Sequence, residues 1–149
     1  MRFHDSLSLQ EARSQFFEGT GFSEEQYENR FVIVKVGPIP VVLPNTKGRQ
    51  RAVRLHDLHH VLTEYDTTMR GEAEISAWEL ATGCKDYYAA WVLNGLALLM
   101  GLVIAPARVA SAFARGLRTR NLYGTVVTDG LLSEPVGAVR QRLGLTRTA

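Results

Sequence analysis

The spacing of apolar residues changes several times along this chain, and each change marks an element. Ser8 to Glu11 has the S-x-x-E form, in which a serine and a glutamate side chain each satisfy the other's backbone N–H. It predicts a helix from about Leu9 to Glu18, punctuated by Gly19 and Gly21. Ser23 followed by Gln26 predicts a second short helix through about Asn29. Residues 31–36 (FVIVKV) and 39–43 (IPVVL) are rich in β-branched side chains and flank Gly37-Pro38. They predict a small β-hairpin or two extended segments, and Pro40 and Pro44 make it an edge feature because proline cannot donate to a ladder.

From about Arg49 to Tyr65 the pattern is helical, with Leu55, Leu58 and Leu62 forming one apolar stripe. A loop at 66–70 precedes a helix from about Gly71 to Thr82, which ends near Gly83. Tyr87 to Ala105 then runs nineteen residues without a charge. The plainest reading is a buried core helix. A helix lining a lipid-binding cavity or lying on a membrane surface, and a membrane span, are the alternatives that its length and composition allow. Pro106 kinks or ends it, and another helix reaches about Arg118. The stretch YGTVVTDGLLSEP reads as a loop, with Ser133 capping a last helix from about Pro135 to Leu143 and Gly144 past its end. The sum is a mainly α chain, one helical-bundle domain over residues 1–149 with a small β-hairpin near residues 31–43.

Composition supports a packed core: 46% of the 149 residues are hydrophobic and 21% are charged. A net charge of +2 gives no bulk argument for nucleic acid. The single Cys84 excludes an internal disulfide framework and fits a reducing compartment. The N-terminal residues lack the apolar run of a signal peptide, so a cytoplasmic protein is expected, with peripheral membrane contact if the apolar helix meets lipid. A homo-oligomer stays open.

The chemistry concentrates on one helix face. With His56 placed at zero and about 100° per residue, His60 falls at about 40° and Asp57 at about 100°. The leucine stripe lies roughly opposite, which leaves this arc free for polar work. Two imidazoles one helical turn apart are a common way to hold a divalent metal, and a carboxylate completes a site that leaves a position for water or substrate. Glu72, at the start of the next helix, is the preferred remote carboxylate, and Glu64, at about 80°, is its rival. Glu79 returns to the face of Glu72 but about 10.5 Å further along, too far to share one ion, so it is expected to orient a ligand or to pair with an arginine. His59, at about −60°, is expected to be a packing or surface histidine, and Glu74 a solvated one. The plain alternative is a solvated polar face on which Asp57 pairs with Arg54.

The string H-D-L-H-H at 56–60, followed after eleven residues by Glu72, fits H-D-x-x-H-x(11)-E, which resembles the signature of the Coq-four family of coenzyme Q biosynthesis. Gly71-Glu72 with Trp78 and Glu79 resembles that family's G-E-x-x-x-K-W-x-E run, with Ser76 where lysine is usual and the tryptophan one place later. The resemblance spans roughly residues 45–120 and does not extend to the N-terminal part. It implies zinc or another divalent metal at His56, Asp57, His60 and Glu72, and a peripheral membrane protein handling polyprenylated quinone precursors. It also implies oxidative decarboxylation at the carboxyl-bearing ring carbon.

Three functions follow. The first is a metal-dependent enzyme or lipid-handling protein of prenyl-quinone metabolism, with Asp57 or Glu72 as catalytic proton acceptor. The second is a metallohydrolase, disfavoured because the aspartate of H-D-x-x-H is one methylene shorter than the glutamate base of H-E-x-x-H. An HD-type phosphohydrolase would need a further upstream histidine, for which His4 is a poor candidate. The third is a non-enzymatic lipid-binding scaffold with a metal site, favoured by the apolar helix and the arginines at 108, 115, 118 and 120.

Overall fold

A computed structural model describes residues 1–36 and 39–145 and shows a mainly helical protein. Helix α1 (Leu9–Thr20) starts at the expected capping box and ends at Gly21, whose φ of 74° places it in the left-handed region open to glycine. A 3-10 turn at Glu24–Glu28 leads into strands β1 (Phe31–Val36) and β2 (Ile39–Pro44), paired antiparallel from Phe31↔Pro44 to Val36↔Ile39. Gly37-Pro38, expected between them, lies outside the described residues.

Helix α2 (Lys47–Thr63) begins two residues before the expected start because Thr46 accepts a hydrogen bond from the Arg49 N–H. Helix α3 (Met69–Thr82) is likewise extended by its cap, Thr68, which accepts from the Gly71 N–H. Helix α4 (Tyr88–Ile104) is followed at once by α5 (Pro106–Gly116); Pro106 is the first residue of the new helix, so it ends the apolar segment rather than kinking it. The stretch expected to be all loop contains a short helix α6 (Asp129–Leu132), capped by Thr128. Ser133 closes α6 through its hydroxyl to the Asp129 carbonyl, and does not cap the last helix, α7 (Val136–Leu143), whose flanking residue is Pro135.

The core lies between α1, α2, α3 and the C-terminal segment, with Leu9, Phe16, Leu55, Leu58, Leu62, Trp78, Leu122 and Val139 all buried. The leucine stripe of α2 thus does what its spacing predicts. Arg140 ties α7 to the end of α2, donating to the carbonyls of Leu62 (3.0 Å) and Val61 (2.9 Å) and to Glu64 Oε1 (2.9 Å). A guanidinium there meets carbonyls that have no partner within the helix.

The buried-core reading of the uncharged segment is wrong. Only Ala90, Asn94 and Gly101 of α4 are buried, while Leu99 is 63% and Val103 83% exposed. The helix packs on α3 and, less extensively, on α5 and α2 along one side, lines a cavity with part of that side, and presents its other side outward. Among the described residues no helix is long and apolar enough to cross a membrane.

The α3–α4–α5 joint needs Gly101, where an added Cβ would stand 2.5 Å from the Ala73 Cβ and 2.7 Å from Val109 Cγ2. Gly101→Val is therefore expected to cost about 1–3 kcal/mol by overpacking. Urea denaturation reads this, and an unchanged midpoint would contradict close packing at the joint.

Candidate metal centre

Helices α2 and α3 run antiparallel, so Glu72 at the start of α3 comes level with His60 and His56, and Glu79 comes level with His56 and His59. The Nε2 atoms of His56 and His60 face each other at 3.2 Å. Glu72 offers one oxygen to each, Oε2 at 3.4 Å from His56 Nε2 and Oε1 at 3.3 Å from His60 Nε2. These three residues could hold a metal ion. Donors about 2.0–2.1 Å from a tetrahedral ion stand about 3.3–3.4 Å apart, which matches the observed edges.

The far side of each ring fixes its tautomer. His60 Nδ1 lies 2.9 Å from the Tyr65 carbonyl, which can only accept, so Nδ1 carries the proton. His56 Nδ1 lies 2.9 Å from Glu79 Oε1 and donates likewise. Both Nε2 atoms then present lone pairs to the same point, an arrangement that needs a cation between them: a metal ion, or a proton on one ring. Burial pushes the His56 pKa down, but Glu79 and Glu72 beside it more than reverse this and hold it well above the usual imidazole value. Burial likewise raises the Glu72 carboxyl, and His56 and His60 outweigh it, keeping Glu72 ionised. His60 is further fixed by stacking on Phe16, centroids 5.4 Å apart.

Glu79 is fully buried and accepts four hydrogen bonds. Oε1 takes His56 Nδ1 and His59 Nδ1 (2.6 Å), and Oε2 takes Asn94 Nδ2 (2.6 Å) and the Tyr123 hydroxyl (2.7 Å). Burial raises its carboxyl, yet the two histidines hold it well below the ordinary carboxylate value. Its expected role in orienting a ligand agrees with this geometry; among the described residues its partners include no arginine. His59 is a packing residue rather than a surface one, with Nε2 accepting the Leu122 N–H at 2.9 Å and its ring edge-on to Trp78 and Tyr123. Burial lowers its pKa and keeps it neutral.

Asp57 lies on the same cavity wall but outside the group of three. Its Oδ2 accepts from the Tyr27 hydroxyl, and burial raises its carboxyl pKa. Arg54 does not pair with it; its guanidinium sits over the Tyr27 ring, 5.3 Å from the centroid. Glu64 is drawn away to Arg140, which leaves Glu72 without the rival suggested by the helical angles. Glu74 is buried against Arg108 at 2.5 Å rather than solvated. Tyr27, Asn94 and Tyr123 were not identified from the sequence. Asn94 alone carried a signal, a polar residue inside an uncharged run.

The centre opens into a cavity of about 740 Å³. One wall is α2, with Val53, His56, Asp57 and His60; the facing wall is α4, with Leu93, Leu96, Ala97 and Met100. The cavity is polar where it meets α2 and apolar along α4. No family model, curated protein or solved structure matches the chain.

Glu79→Gln keeps the shape and removes the charge that orients His56. It is expected to weaken zinc binding about 10- to 100-fold in a chelator competition. Equal zinc affinity in the two proteins would show that Glu79 does not act on the centre.

Proposed function

We propose that this protein binds a divalent metal, zinc in the simplest case, through His56, His60 and Glu72, and uses it on the head group of a prenylated aromatic compound. The carrying observation is the pair of Nε2 atoms, 3.2 Å apart with both Nδ1 protons committed elsewhere, on the wall of an amphiphilic cavity. Asp57 joins as a fourth ligand or as proton acceptor, and Tyr27 steadies it. The resemblance to the Coq-four family supplies the substrate class and the reaction. When bound, the metal would polarise a phenolate or carboxylate oxygen of the head group. The α4 wall accommodates the tail, and Asp57, where it is not itself a ligand, takes a proton from the head group. The net reaction replaces the ring carboxylate by hydroxyl: the acid, water and dioxygen give the phenol, carbon dioxide and hydrogen peroxide.

A second reading, a lipid-binding scaffold without turnover, is favoured by the outer face of α4. Val92, Leu99 and Val103 stand exposed there, and Arg118 and Arg120 follow shortly after α5, a combination suited to peripheral contact with an anionic membrane.

Metal analysis of purified protein should find one ion per chain, lost in His60→Ala with the fold kept. A preparation that cannot be loaded with zinc, cobalt or manganese would remove the metal from the account, and unfolding of His60→Ala would make the metal structural. Mass spectrometry of an organic extract should find a prenyl or acyl lipid. In flotation with vesicles containing phosphatidylserine, Leu99→Asp/Val103→Asp should lose at least tenfold in bound fraction. Equal flotation of this double variant would exclude α4 as the contact.

A further inference from the structure

The same cavity contains a cation that no carboxylate neutralises among the described residues. Arg49 lines it from the first turns of α2, seven residues before His56 and so about 10.5 Å along the helix on the same face. Its Nη1 donates to Asn45 Oδ1 at 3.0 Å. Asn45 is itself buried and fixed, its amide donating to the carbonyls of Tyr27 (2.8 Å) and Asn29 (2.7 Å). The guanidinium is thus held in place by a neutral group. Its Nε is buried with no hydrogen-bond partner. Arg108, Arg140 and Arg142 each form an ion pair with a carboxylate, and Arg49 forms none among the described residues. Burial lowers its pKa, the direction expected of a cation that has lost water and gained no anion. Arg140 shows the contrast, a buried guanidinium with two carboxylates and backbone carbonyls around it.

We propose that Arg49 binds the acid group of the cavity's amphiphilic ligand, leaving the metal centre to face a second oxygen of the same head group. A guanidinium forks onto a carboxylate or phosphate with two parallel N–H donors, and Nε is one of the atoms that such a fork uses. The pre-set side chain, the missing counter-ion and the apolar α4 wall opposite together select an acidic amphiphile over a neutral one. This assignment rests on the cavity taking an amphiphile and orients it: acid toward Arg49, phenolic oxygen toward His56, His60 and Glu72.

The test uses a 3-dodecyl-4-hydroxybenzoate and its methyl ester, which share shape and tail and differ in the charge. Binding is measured by calorimetry on zinc-loaded and on EDTA-stripped protein, for wild type and Arg49→Gln, with circular dichroism confirming that the variant is folded. Wild type is expected to bind the acid at least tenfold more tightly than the ester, with or without zinc. Arg49→Gln should abolish that preference and leave ester affinity within twofold. If the variant weakens acid and ester equally, or if the preference survives in the variant and disappears on stripping the metal, the Arg49 assignment is wrong while the ligand reading stands. Binding of neither compound by either protein overturns the ligand reading, and the assignment falls with it.

Discussion

The buried Glu79 carboxylate is the interaction on which the rest of the structure depends. A charge removed from water is tolerated only when every lone pair finds a donor, and Glu79 finds four, from α2, from α4 and from the segment before α6. Its position on α3 therefore sets how α2 and α4 lie against that helix. It also decides the tautomer of His56 and so turns the Nε2 lone pair into the cavity. Fold and site share one constraint, and the same side chain that fastens the helices orients His56, a ligand of the proposed metal.

Around this anchor, α2 is divided by angle. Leu55, Leu58 and Leu62 enter the core, His59 bridges core and anchor, and Arg49, Val53, His56 and His60 face the cavity. Facing this polar wall, α4 offers a surface with little beyond apolar side chains. Its inner edge lines the cavity and its outer face stands exposed, so one helix meets both the cavity and the surroundings. The exposed leucines and valines are costly in water, and contact with a lipid surface would offset that cost.

Local spacing made part of this legible in the sequence. The capping box of α1, the leucine stripe, the two histidines one turn apart and the reach of Glu72 follow from helix geometry over a few residues, and they are found as expected. What was not legible depends on distant partners. Glu64 shares the angular arc of His60, and only Arg140, seventy-six residues later, draws it away. Asp57 meets Tyr27 rather than its helical neighbour Arg54, and Glu74 is buried because Arg108 folds back onto it. The uncharged run was expected to be core because apolar composition cannot distinguish a helix surrounded by protein from one that packs on one side only. Thr46 and Thr68 each lengthened a helix, and Thr128 started one within an expected loop, since a side-chain cap acts before any apolar period begins.

The most direct test of the metal centre is X-ray absorption spectroscopy of the zinc-loaded protein. A shell of nitrogen and oxygen at about 2.0–2.1 Å, with the scattering of two imidazoles and no sulfur, is the predicted result, reduced to one imidazole in His60→Ala. A sulfur shell near about 2.3 Å, or a spectrum unchanged by His60→Ala, would place the ion elsewhere and contradict the account.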